Sequence, residues 1–137
     1  MRLRDIMSEN VEIIGADAIV DQAKELLHRH DIRHLIVFEG SAMVGVLSEH
    51  DVRRAEGTSF VRAAMSAPVV SATEATTLRQ AANLMRGNHV SCLPVLDASG
   101  RLTGIVTVAD MLDLIGNGVT RERADEHRKA VTYVPGR

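Results

Sequence analysis

At 137 residues, with 45% hydrophobic and 25% charged side chains, the chain has the make-up of a globular protein of one domain or two very small ones. Its 16 basic and 18 acidic residues leave a formal net charge of -2, which supplies no long-range field to hold nucleic acid or an anionic membrane, so neither is expected as a partner. A single cysteine, Cys92, excludes an internal disulfide and a multi-thiolate metal site within one chain.

The opening residues Met1-Arg2-Leu3-Arg4-Asp5-Ile6 contain no apolar h-region, and no apolar run is long enough to span a bilayer, so a cytoplasmic, reducing location is expected. With 2% aromatic residues and no Trp, the core has to be built from Val, Ile, Leu, Ala and Met.

The same opening also begins an internal repeat. Arg4, Met7, Ser8 and Val11 recur as Arg62, Met65, Ser66 and Val69; Gln22, Ala23 and Leu26 recur as Gln80, Ala81 and Leu84; Leu35 and Val37 recur as Leu93 and Val95. After a turn one residue longer in the second copy, Gly45 and Asp51 recur as Gly104 and Asp110. The repeats are expected over residues 2–57 and 58–116, followed by a polar tail over 117–137.

In the first copy a short apolar strand is predicted over 11–14, followed by a helix whose Val20, Ala23 and Leu27 fall at helical spacing. Strands are predicted over 35–38 and 43–47 around a glycine-containing turn, and a short helix over 49–54. The second copy repeats the order, with strands over 69–72, 93–96 and 102–106 and a closing helix over 108–115. Its first helix carries Leu78, Ala81, Ala82 and Met85 on one face and opens on a capping box, Thr77 and Gln80, where the first copy has Ile19.

Each copy is thus β-α-β-β-α. One copy alone buries too little surface to be comfortable, so the expected fold is α/β, with two tandem units packed sheet to sheet around a pseudo-twofold axis and equivalent clefts formed twice. Gly116-Asn117-Gly118 reads as a helix stop. Beyond it, charge dominates residues 120–130 and only Val131, Tyr133 and Val134 offer an anchor, so the tail is either a solvated terminus or a helix that orders on a partner.

The most specific motif lies where the last strand of each copy meets its closing helix: Gly45-Val46-Leu47-Ser48-Glu49-His50-Asp51 and Gly104-Ile105-Val106-Thr107-Val108-Ala109-Asp110. A hydroxyl at a helix N-cap sits beside free amides and the positive end of the helix dipole, which favours phosphate. An Asp three residues on has two oxygens that can accept from the adjacent hydroxyls of a ribose. The glycine ahead of them would let a ligand approach the backbone. The same spacing is also a plain capping box, and the two roles are compatible.

The duplicated order, the Arg-x-x-Met-Ser opening of each copy, the Leu93-Pro94-Val95 strand and the paired Gly-x-x-Ser/Thr-x-x-Asp motifs resemble a tandem pair of cystathionine β-synthase (CBS) domains, a Bateman module of the stand-alone bacterial type. The resemblance spans about residues 2–116. It implies a regulatory, non-enzymatic module with no required cofactor, whose ligand contains adenosine: AMP, ADP or ATP, and in some members S-adenosylmethionine or NAD. By that pattern Asp51 and Asp110 would hold ribose hydroxyls, while Ser48 and Thr107 would face phosphate. Adenine would lie in an apolar slot near Val11, Ile13, Val69 and Ser71, helped by Ile36 and Pro94. It also implies a homodimer and an as yet unidentified regulated protein; a ligand-free dimerisation or scaffold protein is the alternative.

The copies differ in ways that bear on the ligand. Arg33 and His34 precede the strand of copy one, where copy two has Ser91 and Cys92, and Arg53 and Arg54 follow its Asp51. Arg33 or Arg53 is read as a phosphate ligand and Arg54 as a solvated helix-face residue. Ile36 stands where the family pattern has Pro.

Other constellations do not form sites on paper. His28 and His30 are two positions apart on a helix and point away from each other. Cys92 beside His89 lies in an apolar run where a thiol is inert packing. No phosphate-binding Gly-rich loop, catalytic carboxylate pair or nucleophile elbow is present.

Overall fold

The computed structural model describes residues 1–117, so the tail expected over 117–137 lies, from residue 118 onward, outside the described residues. The chain divides into two compact units, one of Glu12–Val69 and one in which Met1–Val11 joins the described chain from Val70 onward.

The Glu12–Val69 unit contains β1 (Ile13–Gly15), α1 (Val20–His30), β2 (His34–Glu39), β3 (Ala42–Ser48), α2 (Glu49–Arg54) and α3 (Val61–Ala64). Its sheet has the order β1-β2-β3, with β1 parallel and β3 antiparallel to β2. Parallel neighbours need a crossover, and α1 supplies it. Val20, Ala23 and Leu27 form the buried face of α1. The helix opens with the Ile19 N–H donating to Gln22 Oε1 at 3.1 Å, half of a reciprocal cap, and ends at Asp31 in the left-handed region (φ 51°).

That face packs on Ile14, Leu35, Val37, Leu47, Val52 and Val61. Burying a side chain of this size stabilises by about 1.5–3 kcal/mol, against about 1 kcal/mol for a helix cap. Packing therefore decides that the unit folds, and caps set where its helices begin.

The other unit contains β4 (Ala72–Thr73), α4 (Leu78–Asn88), β5 (Cys92–Leu96), β6 (Leu102–Thr107) and α5 (Val108–Asn117), preceded by a 3-10 turn at Leu3–Asp5. Its sheet repeats the same topology as β4-β5-β6. Leu3, Ile6 and Met7 from the start of the chain pack in one core with Ala81, Met85, Leu93, Val95, Val106 and Leu114.

The capping box expected for α4 is present: Thr77 Oγ1 accepts from the Gln80 N–H at 3.1 Å, and Gln80 Oε1 from the Thr77 N–H at 2.9 Å. Thr77→Ala is expected to lower the unfolding free energy by about 1 kcal/mol, read as a shifted urea midpoint at unchanged slope. An unchanged midpoint would show that water replaces the cap at no cost.

The covalent repeat and the compact unit are offset. Residues 1–11 open the first repeat but bond to the body of the second: Leu3 N–H to Thr76 C=O at 2.9 Å, Arg4 N–H to Glu74 C=O at 3.1 Å, and a reciprocal bridge between Ser8 and Ile105 at 3.0 and 2.9 Å. The opening of the second repeat does the same with the first. Ser66 and Val46 exchange bonds of 2.9 and 3.1 Å, Val61 N–H donates to Ala18 C=O at 2.8 Å, and Arg62 N–H to Ala16 C=O at 3.1 Å. These bonds hold α3, which no periodicity foretold.

Element boundaries differ from the sequence reading by two residues or more in three places. The strands expected at 11–14 and 69–72 begin at Ile13 and Ala72, leaving Val11 and Val69 outside them. Pro94 explains the brevity of β4. In the first sheet the Ile36 N–H donates to Glu12 C=O at 3.1 Å, whereas proline has no N–H to offer at the matching position. At the other end, Gly116 and Asn117, read as the start of a helix stop, are still helical.

Candidate functional site

β3 delivers Ser48 in an extended conformation (φ -96°, ψ 162°) directly before α2. Ser48 Oγ accepts from the Asp51 N–H at 3.0 Å and Asp51 Oδ2 accepts from the Ser48 N–H at 2.9 Å. In the other unit Thr107 Oγ1 accepts from the Asp110 N–H at 3.2 Å and Asp110 Oδ2 from the Thr107 N–H at 2.8 Å. The capping role of the motif is therefore realised twice. It uses Oδ2 of each carboxylate, so a pair of ribose hydroxyls would be met chiefly by Oδ1.

The backbone amides are less available than the spacing suggested. The Glu49 N–H donates to Arg33 C=O at 2.8 Å and the Val108 N–H to Ser91 C=O at 2.9 Å, while the Asp51 and Asp110 amides serve the caps. The expected cradle of free amides for a phosphate loses two donors at each helix start.

The two pairs also differ in access. Thr107 and Asp110 are 2% and 1% exposed, whereas Ser48 and Asp51 are half-buried. Asp51 opens onto a cleft of about 410 Å³ lined also by Arg54, Ala55, Ser59, Ala63 and Ala64. The last two belong to α3, whose small side chains leave that wall open.

The arginines are not arranged as the sequence suggested. Arg53 binds Glu49 Oε1 at 3.0 Å and lines a separate cleft of about 340 Å³ with Lys24, His28 and Asp31. Arg54, read as a solvated helix-face residue, lines the cleft of Asp51. Arg33 is exposed, and its carbonyl anchors the first turn of α2. His34 is the cross-strand partner of Ser48, which places the two on one face of the sheet.

The proposed adenine-slot residues fall into rows. Ile13, Ile36 and Val46 are successive register partners across the first sheet, and Pro94 is the partner of Ile105 in the second. Leu35 and Val37 point into the core, so by strand alternation Ile36 stands on the opposite face with Ile13. Ile36 is fully buried and Ile13 is 53% exposed. Val11, Val69 and Ser71 are half-buried and precede their strands.

One expectation is corrected. Gly45 and Gly104 were read as room for a ligand, but a Cβ at Gly45 would meet Met65 Sδ at 2.4 Å and Ser66 O at 3.0 Å. At Gly104 it would meet Met7 Sδ at 2.6 Å and Ser8 O at 2.9 Å. The glycines admit the Met-Ser segment of the opposite repeat, which explains why that segment and the glycine recur together.

Cys92 is buried, and burial followed by the nearby Asp110 carboxylate pushes its thiol well above the ordinary range. Such a thiol is a poor nucleophile. Among the described residues no group of three His, Cys, Asp or Glu side chains is placed to hold a metal ion, and no described helix is long and apolar enough to cross a membrane.

The model of the CBS domain matches residues 3–57 and 61–117. A CBS domain-containing protein of Dictyostelium discoideum is 30% identical over 130 residues, covering 82% of this chain and 90% of that protein. Homoserine O-acetyltransferase of Methanocorpusculum labreanum is 31% identical, but the chain spans only 23% of its length.

Among solved structures, the CBS domain pair of protein MJ0100 in complex with 5′-methylthioadenosine and S-adenosyl-L-methionine superimposes with a TM-score of 0.77 at 27% identity, covering 85% of this chain and 97% of that one. CBSX2 in complex with AMP gives a TM-score of 0.68 at 26% identity, covering 85% and 96%.

Proposed function

Because the chain belongs to the CBS domain family, we propose that it is a regulatory module that binds an adenosine-containing ligand, with AMP, ADP or ATP favoured, and acts by ligand-dependent conformational change on a partner or on its own dimer. The observation that carries this reading is the Ser48–Asp51 pair. It is held in place by its own cap, and its Asp51 opens onto a cleft that Arg54 also lines. The adenosine compounds bound by MJ0100 and CBSX2 support the ligand class. The chain itself is read as non-catalytic and cytoplasmic, with the nucleotide as a regulatory ligand rather than a cofactor.

One observation favours the scaffold reading. Val108, Leu112 and Ile115, at i, i+4 and i+7 on α5, are 37%, 61% and 71% exposed. The matching residues of the first repeat are Glu49, Arg53 and Glu56, so the apolar stripe is peculiar to α5. A twofold dimer would bury it against itself.

Calorimetric titration of ATP, ADP, AMP and S-adenosylmethionine into the full chain separates the readings. Saturable binding of at least one is expected. A chain that is folded and dimeric yet binds none at millimolar concentration is a scaffold.

A further inference from the structure

The two Asp residues of the repeated motif have different neighbours three positions on. Aligning Asp51 with Asp110 puts Arg54 in register with Asp113, so the same helical face carries a cation in α2 and an acid in α5. Arg54 lines the Asp51 cleft and, among the described residues, forms no ion pair. Of the other cations near α2, Arg53 pairs with Glu49 in its own cleft, Arg62 pairs with Asp17 and with Glu39 at 2.9 Å, and Arg33, exposed beside the first turn, does not line the Asp51 cleft. With the Glu49 and Asp51 amides already bonded, the first turn of α2 has two fewer donors for an anion in this cleft, and a side-chain cation counts for more.

We infer that Arg54 is the specificity-determining residue that makes the Asp51 cleft a site for a phosphorylated adenosine, and that Asp113 bars phosphate from the equivalent position in the other repeat. The inference rests on the ligand-binding reading above and deepens it. A guanidinium one helical turn from the ribose-binding carboxylate offers several donors to phosphate oxygens, at a spacing suited to a 5′-phosphate on that ribose. At Asp113 the same ligand would bring its charge beside a second carboxylate, which disfavours it. A neutral or cationic adenosine compound meets no such penalty.

Calorimetry with AMP and 5′-methylthioadenosine, which share the nucleoside and differ in charge at the 5′ position, tests this on the full chain. Wild type is expected to prefer AMP and to take up one AMP per chain. Arg54→Gln should lose AMP affinity by about tenfold to a hundredfold and change 5′-methylthioadenosine affinity by less than about threefold, with circular dichroism confirming an unaltered fold. Arg54→Glu should invert the preference. The inference is overturned if Arg54→Gln binds AMP as wild type does, or if Arg33→Gln takes the loss instead. Binding of 5′-methylthioadenosine without preference for AMP defeats this inference alone, whereas failure of both compounds to bind wild type defeats the ligand-binding reading as well.

Discussion

Gly104→Val is expected to cost about 3 kcal/mol of unfolding free energy and Gly45→Val about 1–2 kcal/mol. At both sites the new Cβ would lie within 3.0 Å of a methionine sulfur and a serine carbonyl oxygen of the adjoining segment. The carbonyl cannot swing away, because Ser8 O accepts from the Ile105 N–H at 2.9 Å and Ser66 O from the Val46 N–H at 3.1 Å.

The two sites differ in the methionine. Met7 is 4% exposed and wedged among Leu3, Ile6 and Leu93, whereas Met65 is half-buried at the rim of its core and can turn outward. Since a domain of this size is stable by only about 5–15 kcal/mol, the Gly104 variant should show a large fall in urea midpoint with the slope retained. Equal losses at the two glycines would mean that the carbonyl contact, not the methionine, sets the cost.

The second large effect separates the two carboxylates. Asp51→Ala should lower AMP affinity by about tenfold or more, as loss of a charged hydrogen-bond acceptor does, at a stability cost of about 1 kcal/mol for the cap. Its surroundings are half open, so water can take over the Ser48 N–H. Asp110→Ala removes a 1% exposed carboxylate and strands the Thr107 N–H in the interior, so about 2–3 kcal/mol of stability should go. Denaturation and titration of both variants check the pattern. A larger stability loss at Asp51 than at Asp110 would contradict the asymmetry drawn from burial.

Local patterns in the sequence carried most of the fold. The core-directed pairs Leu35/Val37 and Leu93/Val95 marked β2 and β5, the expected helix over 49–54 coincides with α2, and both hydroxyl–Asp caps form as their spacing implied. What escaped the sequence is non-local. The bonds that tie residues 1–11 to the second repeat's body and residues 58–69 to the first's are backbone bridges, such as Ser8 with Ile105 and Ile19 with Phe60. Their partners are far apart along the chain and leave no periodicity.

The same blindness affected the site. A helical face predicts that Arg53 and Arg54 point differently, but only the positions of Glu49 and α3 decide which of them lines the Asp51 cleft. The recurrence of Gly45 with Met65 and of Gly104 with Met7 was visible, yet its meaning depended on knowing that each glycine faces the opposite repeat's methionine.

The function proposed for this chain depends on the Asp51 cleft taking an adenosine-containing ligand. Native mass spectrometry of the full chain with added AMP tests it most directly, since it reads ligand mass and stoichiometry together. One AMP per chain is expected, lost in Asp51→Ala; a chain that stays folded and bare at millimolar AMP, 5′-methylthioadenosine and S-adenosylmethionine alike would show that the cleft binds no such ligand.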